Sequence, residues 1–171
     1  MRKLIIRKNK RKPFPYISLF IPIFIWKKKS FSIIKSFNFS DSAIYQFPDT
    51  DQWDVNKLFG FSIGFHHVNS FRFGWRPNKD LTKIEIDGYE YHNKIRITTI
   101  SICEVELNKW YTYVLTYIPK TNEVEYLVID KNCESANSYI RLKNNLSWGY
   151  RLGLYFGGNK KAPHDITIYK K

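Results

Sequence analysis

The chain has 171 residues, enough for one domain that buries about two-thirds of the surface its unfolded form exposes. Two cysteines, Cys103 and Cys133, are too few for a disulfide framework or a thiolate zinc site, and stand either as thiols or as a single bridge. Aromatic residues make up 18% and the formal net charge is +13; strand-formers dominate, the expected class is all-β, and the excess of cations favours an anionic partner such as nucleic acid, acidic polysaccharide or a membrane surface.

Residues 1–12 are strongly basic and precede an apolar run, residues 14–26, that ends at three lysines. A basic start before an apolar stretch imitates a secretory signal, but Pro15 and Pro22 interrupt the run and no small-residue cleavage pattern follows. The run is also short for a bilayer. The expectation is an N-terminal strand with its lead-in, and the alternative is a signal or membrane anchor. The first would leave the protein cytoplasmic, the second secreted or membrane-associated. Residues 1–29 are accordingly set apart as a lead-in, with a β domain over residues 30–171 and the basic charge assigned to tails and loops.

From Ser30 the alternation has period two. Phe31, Ile33 and then Phe37 and Phe39 predict a strand that ends at the turn Ser40, Asp41, Ser42, and a short run follows over residues 43–47. An Asp-rich loop, residues 48–56, leads into residues 58–77, LFGFSIGFHHVNSFRFGWRP. There Phe59, Phe61, Ile63 and Phe65 fall on one face, and Gly60, Ser62 and Gly64 on the other. A hairpin turn is expected over residues 67–70, after which Phe71, Phe73 and Trp75 alternate with Arg72, Gly74 and Arg76. Pairing these strands would project His66, Arg72 and Arg76 over a glycine floor, a shallow cationic cleft with Asn69 at its turn. Adjacent residues on a strand diverge, so His66 and His67 are not expected to share a metal.

Residues 82–91 place Ile84 and Ile86 on one face and Glu85, Asp87, Tyr89 and Tyr91 on the other. Two carboxylates flanking one bond is the glycosidase arrangement, but this doublet has no third acidic residue beside it. A shift of phase near Cys103 hints at a bulge. Residues 110–118, WYTYVLTYI, are apolar on both faces and predict a central strand covered on both sides. Near the end, residues 148–156 alternate again, and Asn159, His164 and Asp165 sit on or beside a Gly-rich loop, where binding residues concentrate.

Many short two-faced strands closing with GYRLGLYFGGNKKAPHDITIYKK resemble the concanavalin-A-like lectin/glucanase superfamily. That resemblance implies an antiparallel two-sheet jelly-roll sandwich whose concave sheet holds a sugar chain. The run YRLGLY is similar to the last long strand of alginate-lyase-type members, which implies that Tyr155 is a proton donor or acceptor in the cleft. The chain lacks the glutamine–isoleucine–histidine triplet of those lyases and the clustered acidic motif of the glucanases.

The expected function is a carbohydrate-binding or polysaccharide-processing module, for an anionic glycan in the first place and a neutral one otherwise. Ligand contacts would come from Arg72, Trp75, Arg76, Asn69, Asn159 and Asp165. A lyase, one of the two enzymes considered beside a glycoside hydrolase, would use His66 or His164 as base and Tyr155 as acid, because β-elimination beside a uronate needs both together with a cation on the carboxylate. No cofactor or metal is implied, and no nucleic-acid recognition module fits. The alternative is a structural or protein-interaction sandwich without a sugar ligand.

Overall fold

The computed structural model describes residues 1–14, 21–24, 29–130, 133–139 and 147–171, the side chains of 98–100 and 133–139 excepted. The apolar residues of each alternating run turn to the core, while β5 is buried on both faces. In β4 (Phe31–Phe39), β5 (Asn56–Ser62), β6 (Ser70–Pro77) and β7 (Lys83–His92) the residues facing inward include Ile33, Phe37, Phe59, Phe61, Phe71, Phe73, Trp75, Ile84 and Ile86, all buried. The other described strands are β1 (Arg2–Ile6), β2 (Pro13–Phe14), β3 (Pro22–Phe24), β8 (Ile95–Glu106), β9 (Tyr111–Ile118), β10 (Glu123–Ile129), β11 (Cys133–Tyr139), β12 (Trp148–Leu152) and β13 (Ile166–Lys170).

These strands form two antiparallel sheets, one ordered β11-β10-β9-β4-β13-β1-β2 and the other β3-β12-β5-β6-β7-β8. Rings from the two sheets interlock between them. Phe37 meets Phe59 at 5.6 Å, Phe39 meets Trp75 at 5.3 Å, and Phe73 meets both Tyr113 and Tyr126 at 5.3 and 5.2 Å. The chain is an all-β sandwich of the jelly-roll kind. Its aromatic richness is spent on the layer between the sheets, where each ring buries a large apolar area in a defined orientation.

Three local expectations change. Strand β9 is interior to its sheet, between β4 and β10, but only Tyr111, Tyr113, Leu115 and Tyr117 are buried. The opposite face is half-exposed, and there Thr112 and Thr116 pair with Ser36 and Ser32 hydroxyls at 2.9 and 2.8 Å. Being flanked on both edges by strands is a different condition from being covered on both faces. Phe65 is 68% exposed rather than in the core. Strand β5 stops at Ser62, Gly64 takes φ of 69°, and the chain turns before the alternation can reach Phe65, which packs edge-on against Trp148 at 5.4 Å. The turn therefore spans residues 63–69, earlier than expected.

The basic start enters the fold. Strand β1 runs antiparallel to β13 with Leu4 opposite Ile168 and Ile6 opposite Ile166, and the side chains of Leu4 and Ile6 are buried. Strand β3 pairs with β12. Of the apolar run, residues 15–20 and 25–26 lie outside the described residues, as do Lys27 and Lys28, and no described helix is long and apolar enough to cross a membrane. The side chain of Cys133 is likewise outside the description.

Candidate functional site

Strand register assembles the site. Pairing sets Gly60 opposite Arg72 and Arg72 opposite Tyr89, while Ser70 lies between Ser62 and Tyr91. Arg72, Tyr89 and Tyr91 therefore share the outer face of the six-stranded sheet. With Lys57 from β5 and Arg96 from β8 they line a cleft of about 550 Å³. The loop 63–69 supplies His66 and His67 as one wall, and the segment after β12 supplies Tyr155 and Asn159 as the other.

The glycines do not make the hollow. A Cβ on Gly60 would lie 2.0 Å from the Phe71 carbonyl oxygen and 2.9 Å from Cγ of Arg72, and one on Gly74 would lie 2.3 Å from Val55 Cγ1. Their missing side chains admit neighbouring protein groups, with Arg72 folded down over Gly60.

The cleft is cationic. Arg72 is largely buried, and its Nε has no hydrogen-bond partner. Burial draws its pKa below the ordinary guanidinium value, with the neighbouring tyrosines opposing the shift, yet a guanidinium stays charged at neutral pH. Lys57 Nζ lies 4.4 Å from the Tyr89 ring centroid, and burial, then repulsion from Arg72, pushes its pKa down to about 8. His66 falls to about 4, through burial first and then Arg72 and His67, so its imidazole is neutral at pH 7. Its Nδ1 is hydrogen-bonded to the Tyr150 hydroxyl at 2.5 Å, which fixes the ring. Among the described residues lining the cleft the only carboxylate is Asp54, and its Oδ2 accepts from the Asn159 backbone N–H at 3.4 Å.

Of the residues proposed from sequence, His66, Arg72, Tyr155 and Asn159 line this cleft and the other five do not. Trp75 is 0% exposed, on the core face that its alternation with Arg72 and Arg76 dictates. Asn69 is 1% exposed and holds the turn, its Oδ1 accepting the Asn93 N–H at 2.9 Å. Arg76 shares the outer face with Arg72 but forks onto Glu85 with two 2.9 Å bonds and donates to the Trp53 carbonyl. That pairing also occupies one member of the Glu85/Asp87 doublet. His164 makes a 3.0 Å contact to the Ser42 carbonyl, and Asp165 accepts the Lys8 N–H at 2.7 Å. Both secure the approach to β13.

Sequence reasoning passed over Lys57, Tyr89, Tyr91, Arg96 and His67 as site residues. Alternation had already put Tyr89 and Tyr91 on the polar face; only the β6–β7 register brings them to Arg72. His66 and His67 do not diverge, because they sit on a turn rather than a strand, and their ring centroids are 4.2 Å apart. Among the described residues no group of three His, Cys, Asp or Glu side chains is placed to hold a metal.

Beneath the same face, the side chain of Asp87 is 1% exposed and both its oxygens lack a hydrogen-bond partner. Arg76 Nε, already bonded to Glu85, lies 3.7 Å from Oδ2. Burial raises the Asp87 pKa from 3.8 to about 6, against the attraction of Arg76 and with the help of Glu85. The folded protein thus keeps a proton that the unfolded chain releases, so this residue's contribution to stability falls as pH rises through that window, by ~3 kcal/mol in total at ~1.4 kcal/mol per unit. His66 acts in the opposite sense at overlapping pH, so the difference between wild type and Asp87→Asn isolates the aspartate. Denaturation midpoints are expected to coincide near the acid end of the window and to separate toward pH 7, with the asparagine variant the more stable.

No protein-family model matches the chain, and no curated protein does. Among solved structures, an alginate lyase from Klebsiella pneumoniae superposes with a TM-score of 0.53 at 9% identity, over 82% of this chain and 58% of that one. The acidic lectin of winged bean, in complex with methyl-α-D-galactose, superposes with a TM-score of 0.50 at 15% identity, over 97% of this chain and 82% of that one. This chain thus corresponds to little more than half of the lyase. At such identities the likeness is one of fold alone, an antiparallel two-sheet β-sandwich.

Proposed function

We propose that the cleft binds a carbohydrate bearing carboxylate or sulfate groups. The observation that carries this reading is Arg72, a largely buried guanidinium that lines an open cleft with no carboxylate paired to it among the described residues. Leaving a buried cation without a counter-charge costs the folded protein stability that an anionic ligand would return, since a charge-assisted bond is stronger where the charge is partly removed from water. Lys57 and Arg96 add charge nearby, and Tyr91 and Tyr155 offer rings and hydroxyls suited to a sugar. The fold is one that a sugar-bound lectin and an alginate lyase also use.

The test is a calorimetric titration with alginate and heparin oligosaccharides, beside neutral dextran and galactose as controls. Micromolar to millimolar binding of the anionic set is expected, weakening with added salt; no heat from any glycan at millimolar concentration removes the reading. A second reading, elimination next to a uronate, draws on the neutral His66, held by Tyr150 in the cleft that Tyr155 also lines. His66 would take the C5 proton and Tyr155 would protonate the departing glycosidic oxygen, with Arg72 on the carboxylate. Ultraviolet absorbance of the unsaturated product, lost in His66→Ala while affinity persists, is its signature. Binding without such absorbance leaves a lectin-like module.

A further inference from the structure

The basic N-terminal stretch is not a loose tail. Residues 7–12 connect β1 to β2, and Asn9 turns the chain with φ of 60°. Backbone bonds then pin this loop to the other end of the sequence: Asn9 N–H to the Ala162 carbonyl at 2.8 Å, Ala162 N–H to Lys10 at 3.1 Å and Phe156 N–H to Arg11 at 2.7 Å. The Arg11 guanidinium donates to the carbonyls of Gly158 and Asn159 at 2.5 and 2.6 Å. So anchored, Arg7, Lys10, Arg11, Lys12 and Lys161 surround a second hollow of about 570 Å³ that also contains Phe14, 57% exposed. No carboxylate is among the described residues lining it. The two hollows meet, because Lys12 and Tyr155 line both.

We propose that this loop forms a second anion subsite continuous with the Arg72 cleft, so that the ligand is a polyanionic glycan long enough to place acidic groups in both hollows. The inference rests on the carbohydrate reading and adds to it a polymer length and a direction, from Arg72 past Tyr155 toward Arg7. Each exposed cation by itself is worth little in water, but five gathered around one hollow hold a charge-dense partner through the summed field and the counterions it releases. The choice of a glycan over nucleic acid follows from the carbohydrate reading on which the inference rests, with uronate carboxylates or sulfate esters as the acidic groups.

The experiment compares a uronate disaccharide with a long alginate oligomer, on wild type and on Lys10→Glu/Lys161→Glu. Neither lysine side chain makes a hydrogen bond or ion pair to another described residue, and circular dichroism with a thermal melt verifies folding. A sulfated heparin oligomer run in parallel separates carboxylate from sulfate preference. On wild type the long oligomer is expected to bind at least about tenfold tighter than the disaccharide, with a steeper salt dependence. The double variant should lose that advantage and keep disaccharide affinity. Equal affinities for short and long ligand, or a long-oligomer affinity untouched by the double variant, overturn the second subsite and leave the first. Failure of the disaccharide and the oligomer alike to bind wild type overturns the carbohydrate reading itself. Duplex DNA that displaces the oligomer at lower concentration than heparin overturns the choice of a glycan.

Discussion

Trp75→Ala is expected to lower the stability of the fold by about 3–5 kcal/mol, the range for deleting a fully enclosed large ring. Trp75 is 0% exposed and touches rings from every direction, Phe39 at 5.3 Å, Tyr45 at 6.3 Å and Phe156 at 6.4 Å. Those partners come from β4, from the segment after it and from the stretch after β12, so the cavity would open where both sheets and the crossing loops meet. Trp75→Phe should cost much less. The indole Nε1 is buried without an acceptor, and removing an orphaned donor offsets part of the lost volume. Urea titration with an unchanged slope checks both, and the Phe variant should retain glycan affinity because Trp75 does not line the cleft. Equal destabilisation by the two variants would mean that the indole nitrogen has a partner after all.

Arg72→Met is expected to move stability and binding in opposite directions. The unmet Nε and the desolvated charge are liabilities of the empty protein, and replacing a buried ion by a well-packed apolar chain is commonly neutral or stabilising by about 1–4 kcal/mol. Methionine keeps the unbranched stem that lies over Gly60. Affinity for the acidic oligosaccharide should fall by about 100-fold or more, the worth of a charge-assisted bond of ~3 kcal/mol. Such exchange of stability for function is characteristic of binding sites. Loss of both together would make Arg72 a structural cation.

Much of the sandwich is legible in the alternation itself. Phe59, Phe61, Phe71, Phe73, Trp75, Ile84 and Ile86 face inward where period two puts them, because one buried face makes a strand's phase unambiguous. What alternation cannot supply is where a strand stops. A single glycine with positive φ ends β5 before Phe65, and that also turns His66 and His67 into neighbours. Nor does it supply which strand lies beside which. Arg72 and Arg76 look equivalent along β6, yet register gives one a tyrosine opposite and the other a glutamate, and this alone separates a cation left available in a cleft from one consumed by an ion pair. The N-terminal strand is expected from the sequence, but where the basic connection after it docks is not, because its partners, Phe156, Gly158 and Ala162, are about 150 residues away.

The pairing of β1 with β13 has a consequence during biosynthesis. Strand β1 leaves the ribosome well before its antiparallel neighbour β13, which lies some 160 residues further along the chain. Until then the edge of Leu4, Ile5 and Ile6 that β13 takes up stays unpaired, a template for joining other nascent chains. Arg2, Lys3, Arg7 and Lys8 bracket that segment, and like charges meeting at close range are a known protection against self-assembly. These four cations, of which Arg7 also lines the second hollow, are thereby expected to guard the newborn polypeptide, and neutralising them should show first as inclusion bodies in the expressing cell.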